Sequence, residues 1–590
     1  EKRDYKKRTD FYYKVKILNK DGFSKATIEI PFFDKEKVIN IKGITSNLSD
    51  KSIQQNHLID SKVYEKNITE KWKEITFTLP NVKIGSVIEY SYSVISPYSK
   101  IDDWNFQSDI PKKESNFTAA ILGNWKYNIR LTGFQDLFRD NPSVKRNCVN
   151  VPGIGNGDCL SLDYSMKNIP SFKEEDYMLS KENYISKLTF DLKSFTDPKG
   201  HVKKYTKTWK DADKRLKYDF LDNQTSKKKY FKKNLNPTLF LIKNPTEKAI
   251  KVYQSIQNHF TWNGKYWPSK KVRVKDAFEE KSGTVFDINL ALYNSLQAAD
   301  IESYLVLSST RNKAIPTKIH PIINDFNYLL VKAVINNKVY FLDATNKHLP
   351  FGMVEYLALN GDGRIMDFKN GSYWEPIQLS KRSSITIKAI LELKDNVLSG
   401  DLIISNNGYF AVNTREKISN TSTDDFIDDF ESEHPNLEID SFEFENLNQN
   451  NKPLIQTSKV TFDDLNTENN FVINPFLINK YTVNPFKLNE RKFPVNYGYP
   501  TVNTYILSLK LPEGYVVDNL PKKKIIALPN KGGRFMTTYK YADNNTITVY
   551  SRISINKKSY SSDEYYYLKE FYNQIIKLHD TFIKIKKVTN

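Results

Sequence analysis

Cysteine is nearly absent from this chain: its 590 residues include only Cys148 and Cys159. That excludes a fold stapled by several disulfides, and with no His or second Cys pair at ligand spacing it argues against a metal site. The two lie eleven residues apart across Val149–Asp158, a turn-rich stretch with three glycines. This spacing suits a small disulfide or two unpaired thiols, and both stay open here. Arginine is scarce too, at fourteen of the 88 basic residues. Base readout and phosphate clamping favour the guanidinium fork, and no DNA- or RNA-binding motif is present, so nucleic acid is not an expected partner. The net charge of +19 reads instead as a solvated, lysine-rich surface, one that would also suit an anionic membrane surface or an acidic glycan. No run of about 18 apolar residues exists, which excludes a transmembrane helix. There is no fixed-period repeat, hence no solenoid. A P-loop, a dinucleotide fingerprint, a nucleophile elbow and His-Glu-x-x-His are all missing, and no cofactor is expected. The chain opens at Glu1 without a methionine, which suggests that something N-terminal was cleaved, trimmed or is simply not part of this sequence.

What is present is ample core material. Hydrophobic residues make up 39% and aromatics 13%, enough for a folded, soluble protein whose length calls for two to four domains. Up to about residue 200, short alternating runs such as Tyr12–Leu18, Ala26–Ile30, Glu74–Leu79 and Val87–Val94 predict an antiparallel β-sandwich. A helix starts near Asn244-Pro-Thr-Glu247, with Thr246 as the expected cap. In a second helix, Val285, Ile288, Leu292, Leu296 and Ala299 form one apolar face. Strands follow at Ser303–Leu307, Phe326–Val331 and Val339–Asp343, an α+β layout. Beyond about 375 strands return, including Ser384–Leu391, Tyr505–Leu509 and Thr546–Tyr550. An acidic insert at Asp424–Glu433 predicts an exposed helix, and Tyr565–Ile576 a terminal one packed on the last sandwich.

Several separated motifs occur in a familiar order. They are Trp104-Asn-Phe-Gln107 and Asn168-Ile-Pro-Ser-Phe-Lys-Glu-Glu-Asp-Tyr-Met178, then Phe260-Thr-Trp-Asn263, Lys281-Ser-Gly283, Asp287-Ile-Asn289, Phe326-Asn-Tyr328 and Leu342-Asp-Ala-Thr345, and finally Asn484-Pro-Phe486, Phe493-Pro-Val495 and Leu511-Pro-Glu-Gly-Tyr515. Over nearly its full length the chain resembles the envelope proteins of Bacteroidetes-type bacteria that join a DUF3857 domain, a transglutaminase-like core and a DUF3858 domain. The resemblance implies a multidomain α+β protein: an N-terminal antiparallel β-sandwich (1–202), a central transglutaminase-like, papain-like core (203–375), and a C-terminal β-sandwich with a terminal helix (376–590). It also implies an extracytoplasmic place, in the periplasm or at the outer membrane.

Catalytic relatives need a thiolate at a helix N-terminus, an imidazole and a carboxylate. The corresponding stretch here is Gly283-Thr284-Val285-Phe286-Asp287, with Tyr328 and Asp343 in the other two places. Valine can neither ionise nor attack a carbonyl, and tyrosine, with an ordinary pKa near 10, is a poor base at neutral pH. Val285, Tyr328 and Asp343 are therefore read as a vestigial triad, with no catalytic residue and no metal. Trp262, Tyr266 and Trp267 are candidates to line the former groove, though core packing explains them as well, and His320 is the nearest histidine in sequence. The expectation is a pseudoenzyme that serves as a scaffold for an envelope protein, a peptide or a glycan. The alternative is a peptidase, amidase or transglutaminase with an unorthodox nucleophile.

Overall fold

The computed structural model describes residues 6–588 apart from 50–51, 152–154, 198, 206–207, 222, 269–271, 396, 435 and 463–469. The chain divides into two compact units. One comprises Glu1–Trp104, Gly123–Arg130 and Leu188–Lys203, and the other Asn105–Leu122, Leu131–Lys187 and Lys204–Asn590.

In the first unit, alternation decides which residues face inward. Along Thr27–Phe33, Ile28, Ile30 and Phe32 are buried while Thr27, Glu29 and Pro31 are exposed, as a half-buried strand requires. This strand pairs with Trp72–Thr78, which pairs with Tyr64–Asn67. A second antiparallel sheet runs in the order Lys7–Lys16, Val87–Ser96, Lys37–Ser49, Ser52–His57. Ile17, Ile75, Phe77, Leu79 and Ile88 complete the core of the sandwich.

The second unit begins with a sheet in which Gly155–Ile169 pairs with both Lys112–Leu122 and Ser143–Val151. Cys148 and Cys159 face each other across this hairpin, Cα to Cα 5.8 Å, and are disulfide-bonded.

At the centre of the core lies the helix Val285–Ala298. The expected single apolar face is too narrow a description, because twelve of its fourteen residues are buried, and a helix enclosed on all sides needs apolar residues around its whole circumference. It packs on a five-stranded antiparallel sheet ordered Lys338–Leu342, Tyr328–Ile335, Glu302–Ser308, Asp362–Met366, Tyr373–Pro376. The helix Pro245–His259 packs against it from another side, and the residue capping that helix is Asn244, not Thr246: the Asn244 side chain accepts from the amides of Thr246 and Glu247. Asparagine is the better cap, and Pro245 then occupies the first helical position, where its missing N–H costs nothing.

The C-terminal region is a sandwich of an eight-stranded sheet and a three-stranded one, Asn470–Ile473, Ile583–Lys587 and Tyr515–Asn519. Among the described residues one pairing in the large sheet is parallel, Ser383–Lys394 beside Thr501–Lys510. The acidic insert forms the helix Thr423–Ser432, with Phe426 buried beneath it. The terminal helix Tyr565–His579 buries Leu568, Phe571, Tyr572 and Ile575 against Phe535, Ile553 and Ile555. Among the described residues no helix is long and apolar enough to cross a membrane, which leaves strand-built membrane proteins unaddressed.

Candidate functional site

The N-terminus of the buried helix is held by a capping box. Thr284 Oγ1 accepts from the Asp287 amide at 3.3 Å, while an Asp287 carboxylate oxygen accepts from the Thr284 amide at 2.9 Å and its hydroxyl at 2.7 Å. Gly283 precedes the cap because a Cβ there would come within 2.7 Å of the Asp287 Cβ. Val285 is the first helical residue, and it is fully buried.

A nucleophile at this position would rely on nearby backbone N–H groups to stabilise an oxyanion. The Val285 amide is already committed, donating to the Lys265 carbonyl at 3.1 Å. That carbonyl also accepts from the Trp262 indole at 2.9 Å, so the loop bearing the aromatics is tied to the helix start.

Tyr328 opens its strand, and Asp343 directly follows the strand Lys338–Leu342. The two are buried and meet: the Tyr328 hydroxyl donates to Asp343 Oδ2 at 2.8 Å. Asp343 accepts four further hydrogen bonds. Oδ1 takes them from Asn289 Nδ2 at 2.9 Å, the Thr345 hydroxyl at 2.7 Å and the Thr345 amide at 3.2 Å, and Oδ2 from the Glu355 amide at 3.3 Å. Burial, with the Asp343 charge adding to it, holds the Tyr328 phenol well above its ordinary pKa. It is a donor and no base.

Asn289 sits one helical turn after Val285. Its Nδ2 donates to Asp343 and to the Leu329 carbonyl at 2.8 Å, while its Oδ1 accepts from the Ala344 amide at 2.9 Å. Tyr253 supports the same turn from the neighbouring helix, its hydroxyl within 2.8 Å of the Asp343 carbonyl oxygen. Glu355 is the outlying titratable group. Burial first, and Asp343 second, push its carboxyl up to about 7.

The space around Val285 and Tyr328 is filled. One apolar cluster contains both, together with Val306, Leu330, Phe341 and Met353 from the core and Tyr409 and Val412 from the helix Tyr409–Asn420. Tyr266 packs on this cluster, its ring 5.8 Å from that of Tyr328, and Trp262 lies 5.5 Å beyond it. Trp267 turns elsewhere, against Phe286 at 4.3 Å, among the core residues. His320 lies in the connector between the strands Glu302–Ser308 and Tyr328–Ile335, and among the described residues no contact joins its imidazole to the triad positions. The structure thus gathers Val285, Tyr328, Asp343 and Tyr266 in one place. Sequence reasoning assigned no role to Asn289, Thr345, Lys265 or Glu355. The first two fall within Asp287-Ile-Asn289 and Leu342-Asp-Ala-Thr345 and were open to being found there, but a backbone carbonyl and a residue well past the end of the strand Lys338–Leu342 leave no such mark.

Two stretches of the chain match known domain families: residues 3–149 match DUF3857 and residues 469–583 match DUF3858, each a Domain of Unknown Function with a solved structure. The chain carries a DUF3857 and a DUF3858 domain. Between them lies the α+β region built around the helix Val285–Ala298. The whole architecture superposes on a solved "putative protease" from Parabacteroides distasonis with a TM-score of 0.60, at 13% identity, covering 99% of this chain and 96% of that one. That likeness is one of fold. A "putative cysteine protease" from Cytophaga hutchinsonii is 10% identical and gives a TM-score of 0.16 over 57% of this chain and 79% of that one, too low to bear on the fold. Among curated proteins none matches this chain.

Proposed function

We propose that this DUF3857–DUF3858 chain is a pseudoenzyme, a three-domain scaffold (1–202, 203–375, 376–590) whose core holds its neighbours in place and makes no covalent bond. One observation carries the reading: the Tyr328 hydroxyl is spent on Asp343 at 2.8 Å, in the position where an imidazole would have to receive a proton. Its complement is Val285, which offers no nucleophile and whose amide is engaged by Lys265. Acyl transfer needs an attacking electron pair, a proton acceptor and oxyanion donors together; in their place stand an alkyl group, a buried phenol and a committed N–H. The filled cluster points the same way, since a substrate carbonyl would have to displace packed side chains to reach Val285. Ligands of the scaffold, whether an envelope protein, a peptide or a glycan, would then bind on its outer surfaces.

The compartment belongs to the same proposal. A disulfide between Cys148 and Cys159 suits an oxidising place such as the periplasm or the outer-membrane face.

The test is turnover. The purified full chain is incubated with a broad panel of peptides and peptidoglycan fragments, and released amine or acyl product is measured by mass spectrometry. No product above buffer is expected. Product formation abolished by Asp343→Ala would overturn the proposal.

A further inference from the structure

At one end of the first unit the connectors 17–26 and 79–86 meet the hairpin flanks Leu48–Ser49 and Ser52–Ile53. Ile17 N donates to the Ser86 carbonyl at 2.8 Å and Gly85 N to the Ile17 carbonyl at 2.7 Å; Leu79 N donates to the Ala26 carbonyl at 2.9 Å, and Asn47 Nδ2 to the Asn81 carbonyl at 2.9 Å. Within these connectors Ile17, Ala26 and Leu79 are buried in the sandwich core. Their neighbours go the other way: Leu18 is 71% exposed, Leu48 79%, Ile53 66% and Ile84 57%. Leu48 and Ile53 stand directly opposite each other across the hairpin, so they project as a pair. Phe23, on the short 3-10 helix Lys20–Ala26 that follows Leu18, is exposed as well.

Single exposed aliphatics are ordinary, but several gathered on one end mark an interaction surface. Among the described residues, Lys16, Lys20 and Lys83 are exposed on the same connectors or at their edge, against one exposed acid, Asp21. We propose that this end of the first unit docks on an anionic lipid bilayer, with Leu18, Leu48, Ile53 and Ile84 entering the headgroup boundary and the lysines lying over the lipid phosphates. The occupant follows from the shape and the charge. The apolar side chains stand on three separate segments at the tip of a sandwich, and a bilayer accepts projecting side chains without a complementary mould. Lysine, with a long apolar stem and a compact charge, suits the boundary between acyl chain and headgroup. The inference is independent of the chemistry of the core.

The test is flotation of the full-length chain with vesicles of phosphatidylcholine alone or mixed with phosphatidylglycerol. The chain is expected to float with the mixed vesicles, far less with the neutral ones, and less as salt rises. Leu48→Asp combined with Ile53→Asp is expected to lower partitioning about tenfold or more, and Lys20→Glu with Lys83→Glu to remove most of the salt-sensitive part. Val144→Asp, at an exposed position in the other unit, is expected to change nothing. Circular dichroism and melting of each variant report whether it is folded. Failure of the native chain to float with anionic vesicles would overturn the proposal, as would undiminished flotation of the folded Leu48→Asp, Ile53→Asp variant. Self-association lost in that variant, without vesicle binding by the native chain, would assign the tip to a protein contact and equally overturn it.

Discussion

Tyr328 and Asp343, fifteen residues apart and on neighbouring parts of the core sheet, share a hydrogen bond of 2.8 Å that no solvent reaches. Five donors converge on that one carboxylate. Removing it strands them in a place that water cannot enter, which is costlier than losing the bonds themselves. Asp343→Ala is therefore expected to lower the unfolding free energy by about 3–5 kcal/mol, and Tyr328→Phe, which leaves four donors in place, by about 1–2 kcal/mol. Urea denaturation of the two variants beside the native chain checks both, and equal losses would contradict the arrangement.

Val285→Cys places a thiol where the resemblance puts a nucleophile, yet the site is closed and its amide is held by Lys265. A thiol in apolar surroundings has a raised pKa and reacts slowly. Iodoacetamide is expected to label this cysteine only after denaturation, and the variant to hydrolyse no peptide, even when combined with Tyr328→His. Mass spectrometry before and after unfolding reads the first outcome and a product assay the second.

Glu355 gives the core a pH dependence. Its carboxyl sits at about 7 when folded, against an ordinary value of 4.5, so the folded state keeps a proton that the unfolded chain has already released. The stability tied to that proton is complete below about pH 4.5 and gone once the pH has passed about 7. The charges facing Glu355 sharpen this. Asp343 lies on one side, while Glu416, on the helix Tyr409–Asn420, shares the Asn346 amide with it. Melting temperatures compared at pH 5, 7 and 8.5 are expected to fall for the native chain relative to Glu355→Gln across the lower interval. Parallel curves would contradict the assignment.

Gly498 adopts φ of +82°, and a Cβ there would come within 2.8 Å of Tyr356 Cε2 and 3.1 Å of Arg311 Nη1. Both partners are themselves packed, with the Arg311 guanidinium 4.6 Å from the Tyr356 ring. Gly498→Ala is expected to cost about 1–3 kcal/mol in stability, read by the same urea titration. A control at Gly514, also left-handed but with open space around its Cβ position, should lose less.

Much of the fold was legible because strand and helix periods are local. The alternation in Thr27–Phe33 and the apolar spacing of Tyr565–His579 each announce an inward face, and a period survives whatever packs against it. The start of Pro245–His259 was legible to within two residues, the cap being Asn244 instead of Thr246, because both side chains can accept from helix amides and only geometry chooses between them. The degree of burial of Val285–Ala298 was not legible: Leu290 and Ala291 lie off the expected stripe yet are fully enclosed, by helices and strands drawn from more than a hundred residues of chain.

At the site the division is equally physical. The chemical identities of Val285, Tyr328 and Asp343 are written in the chain and cannot be altered by folding, so the want of a thiol and an imidazole at those positions was decided before any coordinate. Whether they stand together, which carbonyl takes the Val285 amide, how many donors surround Asp343 and what raises Glu355 depend on segments brought together from distant parts of the chain. Those relations come from packing, which selects one arrangement among many that the same local periods allow, and only the tertiary structure decided them.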